Sequence, residues 1–325
     1  MRVLYVAGTG RSGSTLVAAM LGQLRGAFAA GEVRYVWQRG LADGRPCGCG
    51  TPVPDCPVWT DILTAPPAVS AATAVSAAPA GVASPAAPPD AAVAAAFGER
   101  LRLRLRLRRL PLFLWRRVTG RPPVPPHPDD AALAALYTAV AARTGADVVI
   151  DSSKLPPYGA LLGALPGIEL KVLHLVRDPR AAAFSWGRRR GLDGASDPTR
   201  MDRPSPLRSA ALWLCWNVAA RLFWRGDAYL RVRYEELCAD PGGTVRRVAT
   251  FAGLPTGPLP FTAPGVIDLA VTHTVAGNPA RHRTGPVAVR VDDEWRDGLS
   301  RRSFALVTAV CAAALGPFGY RVRRR

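Results

Sequence analysis

The stretch that most constrains this chain is at its start, in residues 2–24, whose centre reads LYVAGTGRSGSTLVAAML. Residues 3–6 predict a short apolar strand, residues 8–14 a Gly/Ser turn and residues 15–24 an apolar helix, with no linker between them. A glycine-rich turn between strand and helix lets successive backbone N–H groups aim at one point, and the helix N-terminus adds partial positive charge there. An anion is therefore expected on the loop. Gly8 and Gly13 give the G-x-x-x-x-G frame of a nucleoside-triphosphate loop, but Ser14 stands where that frame needs its lysine. The cation is Arg11, inside the loop. Without a lysine reaching the β/γ-phosphates, triphosphate chemistry loses a main source of charge neutralisation.

Strand and helix signals alternate again from residue 129 onwards. Asp130 is placed to cap a helix running to about residue 143, and residues 148–150 (VVI) form a buried-type strand ending in Asp151-Ser152-Ser153-Lys154. Residues 170–175 predict a second strand ending at Arg177-Asp178-Pro179, followed by a helix over 181–189. A helix over 209–224, a strand over 229–232 and a helix over 241–252 complete the series. This alternation predicts an α/β fold of three layers, a parallel sheet flanked by helices on both faces. Ligands of such sheets bind at the carboxyl ends of the strands. Residues 8–15, 151–154 and 177–185 fall at such ends, so they are expected to converge on one crevice. The length of 325 residues allows one large domain, and a single domain over 1–325 is expected, interrupted by an insertion at 65–128.

Within that insertion, residues 65–96 are Ala/Pro/Ser-rich without periodicity and predict a flexible segment. Residues 100–109 (RLRLRLRLRR) alternate Leu and Arg. Period two predicts a strand with one apolar and one cationic face, although the LPLFLW that follows equally suits a segment lying on an anionic membrane. Nucleic-acid contact lacks any accompanying fold signature and is not expected. The region 99–121 is thus read as partner- or membrane-facing, closed off by a stiff linker at 121–128 (RPPVPPHP).

Net charge is +18, which favours acidic partners, whether a polyanionic cofactor, a membrane surface or nucleic acid. All the basic residues except Lys154 and Lys171 are arginine, as a GC-rich coding bias would give, so basicity alone decides little. The first apolar run ends at Gly8, too short for a signal-peptide core, and the longest uncharged apolar run, 304–315, falls short of the ~18 residues of a spanning helix. A cytoplasmic protein with reduced thiols is expected. Cys47, Cys49 and Cys56 could supply three thiolates, but C-x-C followed by a lone Cys lacks the paired spacing of common zinc sites and no histidine is adjacent. A Cys/Gly/Pro-rich turn without metal is the expectation. Glu32 is the one acid in residues 28–37 (FAAGEVRYVW), either a salt-bridge partner or a working base.

Two distant stretches resemble one family. GTGRSGSTL resembles the 5′-phosphosulfate loop of sulfotransferases that use 3′-phosphoadenosine 5′-phosphosulfate. VLHLVRDPRAAAFSW resembles their 3′-phosphate motif, with Arg177 followed eight positions later by Ser185. GEVRYVWQRG with CGCG…CPVW, VVIDSSK, RVRYEELCADP and HTVAGNPAR…EWR look like segments of a bacterial branch, covering most of the chain outside 65–128.

The resemblance implies a P-loop-like sulfotransferase fold and a phosphosulfate donor, with adenosine 3′,5′-bisphosphate as product and no metal. It implies donor contacts from Gly10, Arg11, Ser12, Gly13, Ser14, Thr15, Arg177, Ser185 and Arg281, and a hydroxyl acceptor on a small molecule, glycolipid or other carbohydrate. Arg177 is suited to fork two N–H groups onto a phosphate, with the Ser185 hydroxyl beside it. Arg11 would neutralise the leaving phosphate. Glu32 is the first choice for the base, since the resemblance places an acid after the first helix on the acceptor side. His273 is the second, because its pKa class suits proton transfer near neutrality. Asp151 and Lys154 would line the acceptor site, Lys154 as a second cation on the transferring group, while Tyr234 and Glu235 would pack behind it. Arginine in place of the loop lysine and the missing R-K-G-x-x-G tail are departures, and the second leaves Arg281 with the least support. The alternatives are a small-molecule kinase or nucleotide hydrolase with Asp151 as a magnesium carboxylate, and a basic membrane- or nucleic-acid-binding protein built around 99–121.

Overall fold

The structure, a computed structural model, describes residues 1–64, 90–188 and 204–322. The chain enters the sheet at once with β1 (Arg2–Gly8), α1 (Ser14–Leu21) and β2 (Ala27–Gly31). Four helices, α2 (Pro57–Leu63), α3 (Ala91–Arg104), α4 (Leu110–Val118) and α5 (Asp129–Thr144), precede β3 (Val148–Lys154). Then come α6 (Pro156–Leu162), β4 (Glu169–Val176), α7 (Pro179–Gly187), α8 (Pro206–Phe223) and β5 (Tyr229–Arg233). After α9 (Tyr234–Ala239) and α10 (Pro241–Ala252) a small antiparallel sheet forms from β6 (Phe261–Ala263), β7 (Val266–Leu269) and β8 (Gly285–Ala288), followed by α11 (Trp295–Gly298) and α12 (Arg301–Leu315).

The main sheet is wholly parallel, in the order β2-β3-β1-β4-β5. Its central strands show no polar alternation because both faces are covered. Val3 and Tyr5 of β1 point into one core with Trp59, Tyr137 and Tyr158, while Leu4 and Val6 point into the other with Met20, Leu21 and Val248. The strand order puts the ends of β1 and β3, and of β1 and β4, side by side: Ala7 lies opposite Lys154 and Gly8 opposite Leu175. The α/β fold with a parallel sheet flanked by helices is as expected.

The strand expected at 100–109 is corrected to helix and turn. Asp90 caps α3 by accepting from the N–H of Ala92 (2.9 Å), and Ala94, Phe97, Leu101 and Leu105 form a buried stripe at helical spacing. Leu and Arg are both strong helix formers, so the alternation has no intrinsic pull toward a strand. The arginines do not form one cationic face. Arg100 pairs with Asp129, Arg102 with Glu99, and the buried Arg104 with Asp130. Phe97 stacks on Trp37 at 4.4 Å, and Phe113 of α4 and Val124 of the proline-rich stretch are fully enclosed in the larger core. One face of α3, with Phe113 and Val124, is therefore part of the core, whereas Leu112, Trp115 and Val118 are exposed. Residues 65–89, the bulk of the low-complexity stretch, lie outside the described residues. Among the described residues no helix is long and apolar enough to cross a membrane.

Candidate functional site

The loop after β1 is tightly confined. Arg11 has φ 69° and Gly13, at the N-cap of α1, has φ 91°, a conformation that glycine adopts without strain. A Cβ on Gly13 would lie 2.7 Å from the Tyr234 ring, and one on Gly10 2.4 Å from the Trp186 ring, so the loop threads between two aromatic walls. No side chain caps α1 and its first turn holds no acid, the condition under which an external anion can take the cap. Ser12 Oγ is buried and, among the described residues, has no hydrogen-bond partner.

The end of β4 meets this loop directly. Arg11 Nε donates to Ser185 Oγ at 3.0 Å, and Arg177 donates to the Arg11 carbonyl at 3.1 Å. Two motifs more than 160 residues apart are thus one contact. The Arg177 guanidinium lies 4.3 Å from the Tyr234 ring centroid, pairs with Asp292 at 3.1 Å and keeps its Nε buried without a partner among the described residues. Asp178 does not hold Arg177. It caps α7 through the N–H of Arg180 and pairs with the Arg180 side chain. Behind the loop, Glu235 accepts from the N–H of Asp178 (3.2 Å) and from the Tyr320 hydroxyl (2.9 Å). Burial pushes the Asp292 carboxyl up, but Arg177 and Arg188 outweigh that and hold it below the usual carboxylate range.

On the other side of β1, the ends of β3 and β2 bring Lys154 onto Glu32 as a buried ion pair, with Lys154 Nζ also donating to the Ser152 carbonyl at 2.8 Å. Burial pushes the Glu32 carboxyl up, but the charge and hydrogen bond of Lys154, with Arg34 and Arg39, carry it below its ordinary value. Arg34 and Arg39 both lie over the Tyr35 ring, at 4.0 and 3.7 Å from its centroid. Asp151 faces inward. It accepts from the N–H of Ser153 (2.7 Å) and from the Tyr137 hydroxyl, and burial pushes its carboxyl up to about 6. That carboxylate is occupied by the protein and not presented to the crevice. Among the described residues only Arg11, Lys154 and Ala276 are non-glycines with positive φ: Arg11 follows β1, Lys154 ends β3, and Ala276 follows Val275, which bridges to Gly31 at the end of β2.

Two of the expected site residues, His273 and Arg281, are held by other groups. His273 is not aimed at the Glu32 carboxylate: its Nδ1 lies 3.3 Å from Cys56 Sγ and 3.8 Å from Cys47 Sγ, and its carbonyl accepts from Trp59 Nε1. No histidine is adjacent to the three thiols in sequence, but the fold brings one to them from 217 residues away. Arg281 donates to the carbonyls of Gly277 (3.1 Å) and Pro46 (3.0 Å), on the Glu32 side of the crevice. Arg34, Trp186 and Asp292 are not among the residues that motif spacing picks out. The run Asp292-Asp293-Glu294 in so basic a chain was a usable signal for the last, whereas nothing local marked the other two.

The chain matches the family described as "Sulfotransferase family" over residues 4–258. It is 30% identical over 195 residues to carbohydrate sulfotransferase 2 of both Mus musculus and Homo sapiens, covering 48% of this chain and 36% of each relative. To Homo sapiens carbohydrate sulfotransferase 3 it is 28% identical over 178 residues, 49% of this chain and 35% of the relative. The chain thus spans about a third of the length of these curated relatives. Among solved structures, the sulfotransferase domain from the curacin biosynthetic pathway superposes with a TM-score of 0.51 at 14% identity, over 99% of this chain and 98% of that one, a likeness of fold. With the family match running from β1 through α10, across every strand of the parallel sheet, the chain belongs to the sulfotransferase family.

Proposed function

We propose that this chain transfers a sulfuryl group from 3′-phosphoadenosine 5′-phosphosulfate to a carbohydrate hydroxyl, whether free, lipid-linked or on a natural product. The observation that carries the reading is the junction of Arg11, Ser185 and Arg177, which makes two anion-binding motifs into one cationic wall. The donor fits the residues present: Ser12 Oγ and Arg177 Nε are buried polar atoms without protein partners among the described residues, and an anion on either side of Arg11 would satisfy them. Gly10, Gly13, Ser14 and Thr15 would hold the 5′ anion, and Arg177 with Ser185 the 3′-phosphate. When bound, the donor supplies a sulfuryl group on a phosphate leaving group.

Transfer of this kind passes through a loose, in-line transition state, so positioning and charge stabilisation dominate. Arg11 would neutralise charge growing on the leaving phosphate. Glu32, ionised and fixed by Lys154, would take the proton of the acceptor hydroxyl. The scheme draws its positive charge from Arg11, Lys154 and the loop N–H groups. The carbohydrate acceptor is supported by the names of the relatives, and the arginines Arg34, Arg39 and Arg281 on the Glu32 side would favour an acceptor that already carries negative charge. A kinase reading finds no support at Ser14 or at the inward-facing Asp151. Thermal-shift titration tests the proposal: adenosine 3′,5′-bisphosphate is expected to stabilise the chain without magnesium, and stabilisation by ATP alone, only with magnesium, would sink it.

A further inference from the structure

We propose that Cys47, Cys49, Cys56 and His273 bind one Zn²⁺ ion in a closed structural site. Their donor atoms all lie within 4.8 Å of one another. A tetrahedron with Zn–S near 2.3 Å has edges of about 3.8 Å. The Cys47–Cys56 and Cys49–Cys56 sulfurs are 3.7 and 3.8 Å apart, and His273 Nδ1 lies 3.3 and 3.8 Å from two of them. Three thiolates and an imidazole are the soft donor set that selects zinc. Four protein donors leave no open position, which marks a structural and not a catalytic ion.

The backbone is shaped for the same purpose. The Cys47 N–H donates to the Thr51 carbonyl (2.7 Å) and the Gly50 N–H to the Cys47 carbonyl (2.9 Å), folding Cys47 and Cys49 into a knuckle. A Cβ on Gly48 would lie 2.4 Å from the Thr272 carbonyl oxygen, so only glycine lets the knuckle approach the segment carrying His273. Cys47 and Cys56 are buried while Cys49 is partly open, a route by which the ion can enter. Zinc with three thiolates carries a net charge of −1, and the half-buried guanidinium of Arg281, which donates to the Pro46 carbonyl (3.0 Å), stands beside Cys47 to balance it.

The consequence reaches the crevice. The clip would tie residues 47–56 to residues 272–277, and that segment pairs with the end of β2: Val275 donates to the Ala30 carbonyl (2.9 Å) and Glu32 donates to the Val275 carbonyl (2.8 Å). A Cβ on Gly277 would sit 3.5 Å from Glu32 Oε1. The ion therefore acts as a positioning device for the wall that holds Glu32.

The full chain, purified from zinc-containing medium without chelator, is expected to hold about one zinc per chain by elemental analysis. Cobalt exchange should give thiolate-to-metal charge-transfer bands and the visible bands of a tetrahedral ion. Cys56→Ser should lose the metal, whereas His273→Cys should keep it and strengthen the charge-transfer band, an outcome that a catalytic or merely packed histidine does not produce. A chain that is folded by circular dichroism yet holds no zinc and gives no cobalt–thiolate band overturns the proposal. So does iron as the resident metal, or a disulfide among the three cysteines in alkylated samples. Should Cys56→Ser fail to fold, the cobalt titration of the unaltered chain decides alone. None of these readouts depends on sulfuryl transfer.

Discussion

Glu32 concentrates the question of chemistry in one side chain. Lys154, brought from 122 residues away, keeps its carboxylate ionised, and Gly277 packs beside it. In the role proposed for it, such a carboxylate would be a weak base but always ionised, which would suit a transfer whose leaving group does most of the work. Glu32→Gln keeps the shape and removes the charge. Turnover is expected to fall about 10²- to 10⁴-fold, with the affinity for adenosine 3′,5′-bisphosphate retained in a calorimetric titration, because Arg11, Arg177 and Ser185 lie across β1 from it. Unchanged turnover would assign the proton to another group. Arg11 and Arg177 could be picked out in the sequence because each follows a strand-end pattern. Asp292, the counter-ion of Arg177 and Arg188, could not be paired in the same way, since its partners lie 115 and 104 residues away.

At the level of elements, α3 shows how a local pattern misleads. The Leu/Arg alternation satisfies period two, yet the stripe that decides the conformation begins upstream at Ala94 and Phe97, and its arginines find Asp129 and Asp130 at the start of α5. If α3 is a core helix, Leu101→Ala removes buried packing and should cost about 2–4 kcal/mol, seen as a lowered urea midpoint. An effect within about 0.5 kcal/mol, as for a surface change, would return the segment to the status of an appended insertion.

Across the whole molecule, His174 joins β4 to β5 and α8. Its Nδ1 lies 2.7 Å from the Tyr229 hydroxyl and its Nε2 2.8 Å from Asn217 Oδ1, with Phe318 against the ring. Burial, aided by the charge of Arg231, pushes the imidazole down to about 4. The folded state therefore binds fewer protons than the unfolded state between pH 6.5 and about 4, and stability present above pH 6.5 is lost as pH falls through that window. The loss is about 3 kcal/mol. Asp151, raised to about 6, works in the opposite direction, so the comparison of interest is the unaltered chain against His174→Gln. Their difference in unfolding free energy should shrink on acidification from pH 7 to pH 4.5. A constant difference would show that His174 is not held neutral.

The sequence by itself determined the parallel α/β sheet, the loop of residues 8–15 and its missing lysine, and the strand-end position of Arg177. These follow from hydrophobic period, glycine content and spacing within a single strand–turn–helix unit, all of which are local. Tertiary structure alone decided that α3 is a helix with one buried face, that Lys154 meets Glu32, that Arg281 stands on the Glu32 side, and that His273 lies beside three thiols. Each of these is a meeting between residues far apart in the chain. Such meetings are fixed by which faces of the sheet and helices must be buried against one another, and no window of sequence contains both partners.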